Sequence, residues 1–277
     1  MFVNNLSFKG KFRQLLSNTK AFILDLVNLK RRIILNNLWK NLNLIKKDKI
    51  IIIATGPSFT DETAKNIISS RENFDVMAIN DFHLNSFSKE LIPDYYLISD
   101  PQNIETQNIE IKKNNILLKK YISNENIKYI APYGKMWEYL EKPYLIFNDS
   151  QNLLSNNIDP RKPRGYRSNT SFKAIAISLA LNYKSIYILG FDYEYPRKLI
   201  VNQENKIFLK NEYSFGKQLY NLNNDFESLA HAINWWSLDY WHLRKLKSSK
   251  VINVTNNSMI DIFQRMSPQS FFEIIKK

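Results

Sequence analysis

The stretch that most constrains the fold is KIIIIATGPSFTDE, which begins at residue 49. Its apolar run, residues 50–54, is mostly β-branched, uncharged and too short for a helix. The run therefore predicts a strand of a parallel sheet, buried on both faces. Gly56, one of only six glycines in the chain, allows a sharp turn and lets a ligand approach the backbone closely. Pro57 suits the first turn of a helix.

The turn after this strand has two interpretations. Ser58 or Thr60 would cap the helix that follows, and a strand, a tight turn and a helix N-terminus together form an anion-binding site, because free backbone N–H groups point outward there. An ordinary connection between a strand and a helix explains the same residues. The phosphate-binding sequences GxxxxGK[ST] and GxGxxG are both absent, so the turn is of neither of these two kinds.

From residue 50 onwards, strand-like and helix-like stretches alternate. The predicted strands are 50–54, 74–80, 94–100, 127–133, 143–147, 185–192 and 250–255, and the predicted helices are 61–70, 169–182 and 224–247. This alternation predicts an α/β fold with a doubly wound, mostly parallel, Rossmann-like sheet. Ligands of such sheets bind beyond the carboxyl ends of the strands.

Polar or small residues stand at five of these predicted strand ends. They are TGPS at 55–58, ND at 80–81, DPQ at 100–102, GFDY at 190–193 and TNNS at 255–258. Because the carboxyl ends of parallel strands meet at one edge, we expect these residues to form one binding surface.

Composition excludes several classes of protein. The 277 residues suffice for one large α/β domain or for a domain with an appendage. Cysteine is absent, and the three histidines are too scattered to indicate a zinc site. No apolar stretch reaches the roughly 18 residues of a membrane span, and no signal-peptide pattern is present. We therefore expect a cytoplasmic protein.

The net charge of +13 is concentrated at the N-terminus. Residues 1–49 contain eleven lysines and arginines against two aspartates, a net charge of +9, and the other 228 residues contribute only +4. A nucleic-acid-binding protein is not expected to distribute its charge in this way. Apolar residues at three- and four-residue steps within 11–46 predict an amphipathic helical segment in two pieces.

The charge and the amphipathic pattern therefore predict two parts of the chain: a basic amphipathic helical extension, 1–48, and an α/β domain, 49–277. Such an extension can lie on an anionic membrane surface, which would place the protein on the inner face of the cytoplasmic membrane. The alternative is a helical hairpin that packs on the domain or on another subunit of a homo-oligomer.

Residues 168–195, SNTSFKAIAISLALNYKSIYILGFDYEY, resemble the bacterial sialyltransferases of glycosyltransferase family 42, which modify lipooligosaccharide with CMP-activated sialic acid. The matching phrases are ALNYK at 180–184, GFDY at 190–193, GPS at 56–58, NDF at 80–82, His231 and NS at 257–258. The GPS turn and the GxD strand are also similar to the 6-hydroxymethylpterin diphosphokinase-like domain of motility-associated factors. The resemblance implies a GT-A-type variant of the Rossmann-like sheet.

The resemblance also implies a set of site residues. The nucleotide-sugar would contact Thr55, Gly56, Pro57, Ser58, Asn80, Asp100, Asn169, Thr170, Ser171, Gly190 and Asp192. Two of these, Thr55 and Asp100, stand where the family has asparagine.

Three catalytic residues follow from the same resemblance. His231 would be the base that deprotonates the acceptor hydroxyl, since an imidazole titrates near working pH. Without the resemblance, a core or surface histidine is the favoured interpretation of His231. Tyr193 and Tyr195 are the nearest candidates for stabilising the leaving phosphate, with Tyr213 and Tyr220 as further possibilities.

Basic side chains crowd the approach to Asn169. Arg161, Lys162, Arg164 and Arg167 would either clamp an anionic donor or acceptor or form a solvated loop. The DxD signature that binds metal in many glycosyltransferases is absent, so no metal or other cofactor is expected.

The combined hypothesis is a metal-independent glycosyltransferase. It would move sialic acid or a related nonulosonic acid from a CMP-sugar donor to a cell-surface glycan or glycolipid acceptor, as in lipooligosaccharide or capsule synthesis. Two alternatives stay open: a pterin-type pyrophosphokinase that uses ATP and Mg²⁺, and a non-catalytic nucleotide- or glycan-binding module of a polysaccharide assembly.

Overall fold

The computed structural model describes residues 19, 23, 29–40, 42, 46–99, 109–133, 143–153, 155–223 and 226–276. The strands in this part of the chain are β1 (Lys49–Ile53), β2 (Asp75–Ile79), β3 (Tyr95–Leu97), β4 (Lys128–Pro132), β5 (Leu145–Phe147), β6 (Ser185–Leu189), β7 (Leu199–Val201), β8 (Ile207–Tyr213), β9 (Gly216–Asn221), β10 (Val251–Asn253) and β11 (Gln264–Arg265). The α-helices are α1 (Leu29–Lys40), α2 (Asp61–Ser69), α3 (Ile109–Ile122), α4 (Thr170–Ala180), α5 (Leu229–Leu243) and α6 (Pro268–Ile275).

Eight of these strands form one parallel sheet in the order β11-β10-β6-β1-β2-β3-β4-β5. The first strand lies inside the sheet, where Ile51 pairs with Val76 on one side and with Tyr187 on the other. Because helices connect these strands and cover both faces, the prediction of a doubly wound parallel sheet is confirmed.

The four isoleucines of β1 divide between two hydrophobic cores. Ile50 and Ile52 belong to the core on one face of the sheet, and Ile51 and Ile53 belong to the core on the other face. All four are fully buried, and burying each contributes roughly 1.5–3 kcal/mol before entropy is subtracted. A strand that is covered on both faces needs an apolar residue at every position, which explains the uninterrupted apolar run.

Each face of the sheet is covered by a different set of helices. On the first face, α4 contributes Phe172 and Ile175, which are fully buried. On the second face, α2 and α6 contribute Ile67 and Phe271. The strands all run the same way, so their carboxyl ends lie on one edge of this three-layer structure.

Several predicted strands were too long: those predicted at 143–147 and 250–255 are regular only over Leu145–Phe147 and Val251–Asn253. The strand predicted at 185–192 ends at Leu189, because Gly190 has a φ of +72° that turns the chain out of the sheet. The strand predicted at 94–100 is regular only over Tyr95–Leu97. The predicted long helix begins at Leu229 instead of residue 224, since Ser228 caps it.

A separate antiparallel sheet, in the order β7-β8-β9, was not predicted. Ile207 and Leu209 of β8 pack against Ala232 and Trp236 of α5 in a third, smaller core. Helices α3 and α6 were not predicted either. The tip of the β8–β9 hairpin, at Ser214, reaches the carboxyl edge of the large sheet.

Helix α1 packs on the edge of the α/β domain at β5. Leu35 is fully buried, and the indole N–H of Trp39 donates a hydrogen bond to the carbonyl oxygen of Ile146, 2.9 Å away. Ile33, by contrast, is 58% exposed. The remainder of the predicted two-piece helical segment lies outside the described residues, and the domain boundary at residue 48 stays a prediction. No helix in the described ranges combines the length and apolarity that crossing a membrane requires.

Candidate functional site

The ends of β1 and β6 are pressed together at the carboxyl edge. The amide of Gly56 donates to the carbonyl oxygen of Gly190 at 3.0 Å. A β-carbon at position 56 would lie 1.9 Å from Oδ2 of Asp192 and 2.3 Å from the carbonyl oxygen of Gly190. A glycine follows the apolar run because the end of the neighbouring strand leaves no room for a side chain.

Asp192 holds the turn after β1. Its Oδ2 accepts a hydrogen bond from the hydroxyl of Ser58 at 2.8 Å, and its carbonyl oxygen accepts one from the amide of Met259 at 3.0 Å. Burial raises the pKa of Asp192, and the hydrogen bonds from Ser58 offset part of that rise. This carboxylate faces the protein's own turn.

The start of α4 meets the end of β3. Asn169 caps the helix, its side-chain oxygen accepting from the amide of Ser171 at 2.9 Å. The hydroxyl of Thr170 lies 2.5 Å from the hydroxyl of Ser99, and both residues are buried. The free N–H groups of this 11-residue helix therefore point toward the same edge as the turn at Gly56.

Asn80 follows β2 in a left-handed conformation with a φ of +48°. The hydroxyl of Tyr96 donates to its carbonyl oxygen and accepts from the amide of His83. Among the described residues, the buried side-chain oxygen of Asn80 has no hydrogen-bond partner. It is an acceptor that a bound hydroxyl or amino group could satisfy.

The tip of the β8–β9 hairpin lies over the turn after β1. The carbonyl oxygen of Thr55 accepts hydrogen bonds from the amide of Ser214 at 2.9 Å and from its hydroxyl at 3.3 Å. Tyr213 hydrogen-bonds Tyr220, and burial is the main cause of the raised pKa of Tyr213. Its ring stacks on Phe215 with centroids 5.0 Å apart. The hairpin thus brings tyrosine hydroxyls to the rim of the large sheet.

Of the two tyrosines predicted to be catalytic, Tyr193 is buried and Tyr195 is half-buried. The hydroxyl of Tyr193 donates to Asp239 at 3.0 Å and accepts from the side-chain amide of Asn169 at 3.2 Å. Tyr193 is only 9% exposed, and burial raises its pKa. The ring of Tyr195 stacks on Trp236, with centroids 5.5 Å apart. In this arrangement Tyr193 orients the cap of α4.

The predicted basic cluster divides in two: Arg161 and Lys162 are exposed, as in a solvated loop, whereas Arg164 and Arg167 pair with carboxylates inside the protein. Arg161 pairs with Asp159 at 2.8 Å, and Arg164 is buried beside Asp149 at 3.1 Å. The guanidinium group of Arg167 lies 3.2 Å from a carboxylate oxygen of Asp239 on α5 and 3.7 Å above the ring of Trp235. These three arginines neutralise carboxylates of the chain itself and fix the loop that leads into α4.

His231 lies on the first turn of α5, on the exposed side of the helix. Its amide donates to the hydroxyl of Ser228 at 3.2 Å, and its ring packs edge-on against Phe226. No hydrogen bond or ring contact joins His231 to the strand ends within the described part of the chain. Its role as the base stays a prediction.

Most of the predicted nucleotide-sugar residues lie along one edge. They are Thr55, Gly56, Pro57, Ser58, Asn80, Asn169, Thr170, Ser171, Gly190 and Asp192. Asp100 lies outside the described residues. Sequence reasoning missed Ser99 and Ser214, and it named Tyr213 and Tyr220 only as further possibilities. The hairpin that carries three of these residues has one local signal, the glycine at its turn. In the described ranges, no group of three or more histidine, aspartate or glutamate side chains is placed to hold a metal ion.

The fold and this edge define a class: a Rossmann-like α/β protein with polar residues at the carboxyl ends of its strands. No protein-family model matches the chain, and no curated protein sequence matches it. One solved structure shares its fold, that of the MAf glycosyltransferase from Magnetospirillum magneticum AMB-1, with a TM-score of 0.51 at 12% identity. The match covers 87% of this chain and 38% of the other chain.

Proposed function

We propose that this protein is a glycosyltransferase that moves sialic acid or a related nonulosonic acid from a CMP-activated donor to a cell-surface glycan acceptor. The observation that carries the proposal is the carboxyl edge of the large sheet, where a glycine turn, a capped helix N-terminus and several hydroxyls converge. The fold shared with the MAf glycosyltransferase supports glycosyl transfer in general.

The donor nucleotide lies along this edge. The backbone at Gly56 and the hydroxyl of Ser58 contact the nucleoside, and the N–H group of Thr170 and the hydroxyl of Ser171 bind the phosphate. The buried side-chain oxygen of Asn80 accepts a hydrogen bond from a sugar hydroxyl, since it cannot bond a phosphate oxygen, which is also an acceptor.

Transfer breaks the bond between the anomeric carbon and the phosphate oxygen, and the acceptor oxygen forms the new bond to that carbon. His231 takes the acceptor proton, and CMP leaves with the electron pair of the broken bond. The hydroxyls of Tyr213 and Tyr220 and the amides of α4 stabilise the departing phosphate without a metal. We assign Tyr193 a positioning role through Asn169, and Tyr195 supports Tyr193 by an edge-on ring contact.

The basic N-terminal extension brings the enzyme to a glycolipid acceptor on the inner face of the cytoplasmic membrane. Eleven basic residues within 1–49 supply the attraction to anionic lipid, at about 1 kcal/mol for each residue near the surface. Deleting residues 1–28, which precede α1 and hold four of these eleven basic residues, should weaken co-sedimentation with liposomes that contain anionic lipid. Sedimentation equal to that of the full chain would refute this part of the proposal.

Titration calorimetry with CMP, GMP, and ATP with Mg²⁺ tests the donor. Preference for CMP without metal supports the transferase, whereas preference for ATP with Mg²⁺ would favour the pyrophosphokinase alternative. Binding of CMP by a wild-type protein that never consumes a CMP-nonulosonic acid would favour a non-catalytic module. In the transferase, His231→Ala should keep the CMP affinity and lose at least 100-fold in turnover, the lower end of the contribution expected of a general base; full turnover would exclude His231 as the base.

A further inference from the structure

A second cleft lies on the outer side of α5, away from the helix face that packs on the small sheet. It has a volume of about 400 Å³, within the range of roughly 300–1,000 Å³ that small-molecule sites occupy. Its lining residues include Ser237, Tyr240, Trp241, Arg244, Met259 and Asp261. Helix α5 supplies the first three, and the segment after β10 supplies the last two.

The cleft presents an aromatic surface to solvent. Trp241 is 50% exposed although it is one of the largest apolar side chains of the chain. The face of an indole ring carries the negative part of its quadrupole. Such a face attracts the weakly positive C–H groups that a pyranose ring presents on its less polar side.

The rim of the cleft is polar and electrically balanced. Arg244 pairs with Asp261 at 2.8 Å, and both side chains are more than half exposed. The hydroxyl of Ser237 donates to the carbonyl oxygen of Asn234 at 2.7 Å, so its oxygen can still accept a hydrogen bond. Donors and acceptors therefore stand side by side around the indole, as sugar hydroxyls require.

The wall of this cleft is joined to the end of β6. The hydroxyl of Tyr240 donates to the carbonyl oxygen of Tyr193 at 2.5 Å, and the amide of Met259 donates to the carbonyl oxygen of Asp192 at 3.0 Å. Residues 192 and 193 thus have the candidate donor site on one side and this cleft on the other.

We propose that the cleft binds a neutral monosaccharide unit by stacking it on Trp241, with Arg244, Asp261 and Ser237 bonding its hydroxyls. This assignment rests on the proposed function: the bound unit belongs to the acceptor glycan, one or more sugars away from the residue that is modified. A free anion fits less well, because Asp261 already neutralises Arg244. A lipid chain fits less well too, since it would desolvate that ion pair without replacing its hydrogen bonds.

Saturation-transfer NMR on the full-length protein tests the cleft, with methyl β-D-galactopyranoside, lactose and maltose as probes. Wild-type protein should transfer saturation to at least one probe, and Trp241→Ala should reduce the affinity for it at least tenfold. Asp261→Asn, which keeps the shape of the rim, should weaken binding by a smaller factor. Ile233→Ala is the matched control, because it removes an exposed apolar side chain from the same helix outside the cleft and should bind as wild type does.

Absence of saturation transfer to all three sugars, or equal affinity in Trp241→Ala and wild type, would overturn the proposal. The CMP titration keeps this outcome separate from the fate of the proposed function. Trp241-dependent sugar binding without CMP binding would support the sugar site in the cleft and refute the proposed transferase. Turnover of a CMP-sugar without Trp241-dependent sugar binding would support the transferase and refute the sugar site in the cleft.

Discussion

The hydroxyl of Ser58 and the carboxylate of Asp192, 134 residues apart in the chain, form a 2.8 Å hydrogen bond. This bond closes the turn after β1 onto the end of β6, and it occupies the carboxylate that the resemblance implied would face the nucleotide. Asp192 therefore shapes the backbone that the donor would contact, and any interaction of its side chain with the ligand is limited to its remaining hydrogen-bonding capacity.

Gly56→Ala should destabilise the fold by about 1–3 kcal/mol, the range of overpacked sites. The added methyl group would meet Oδ2 of Asp192 and the carbonyl oxygen of Gly190, and the latter belongs to the backbone of a buried strand end. Urea denaturation measures the change. Lys65→Ala, on the exposed face of α2, is the control and should stay within about 0.5 kcal/mol of wild type. Equal urea midpoints for Gly56→Ala and Lys65→Ala would contradict the close approach of Gly56 to Asp192 and Gly190.

Lys245 anchors the loop that precedes α4. Its ammonium group donates to the carbonyl oxygens of Leu153, Ser155 and Gly165 at 3.1, 2.9 and 2.6 Å, and burial lowers its pKa. Lys245→Met keeps the length of the side chain but leaves three carbonyls without their donor. We expect a loss of about 2–3 kcal/mol in the free energy of unfolding.

Lys247→Met is the matched control for this change, since Lys247 is exposed two residues further along. Chemical denaturation of both variants should show the loss only for Lys245→Met. Hydrogen exchange should also accelerate in residues 155–168 of that variant. An unfolding midpoint equal to that of Lys247→Met would show that the three carbonyls do not need the ammonium group.

His242 should make the protein sensitive to acid. Burial, together with the charges of Lys245 and Arg167, lowers the pKa of His242 from 6.5 to about 4. Between these two values the unfolded chain binds a proton that the folded protein does not, so stability falls as the pH decreases from 6.5 to 4. A difference of this size corresponds to about 3 kcal/mol.

Thermal or urea unfolding at pH 7 and pH 4 checks this expectation. His242→Gln cannot take up that proton, and its stability should change less between the two pH values than that of the wild type. His231→Gln removes an exposed imidazole from the same helix and should keep the wild-type dependence. The expectation is wrong if His242→Gln loses as much stability in acid as His231→Gln does.

Thr170→Val should weaken CMP binding by about tenfold. Valine keeps the shape of threonine but removes the hydroxyl that lies 2.5 Å from that of Ser99, so a polar group is left unpaired beside the phosphate position. Titration calorimetry measures the affinity. Ser178→Ala is the control on the same helix, because its buried hydroxyl has no partner among the described residues and lies two turns away. Equal CMP affinity in Thr170→Val and wild type would remove this hydroxyl from the proposed donor site.

The sequence alone determined the parallel sheet and the edge at which its polar residues meet. A run such as Ile50–Ile53 has no polar face, and only a strand covered on both sides satisfies it. The cap of α2 was also local, since Thr60 accepts a hydrogen bond from the amide of Thr63, three residues further along. The periodicity of apolar residues and the capping of helices depend on residues that are close in the sequence, which explains why both could be predicted from the sequence.

The tertiary structure alone decided which polar side chains remain available to a ligand. The sequence could not show that Asp192 faces Ser58, that Tyr193 faces Asp239, or that Arg164 and Arg167 neutralise internal carboxylates. These partners are 15 to 134 residues apart, and a hydrogen bond depends on where two distant segments meet. For the same reason the β8–β9 hairpin was missed, because its position over Thr55 follows from the packing of its sheet against α5.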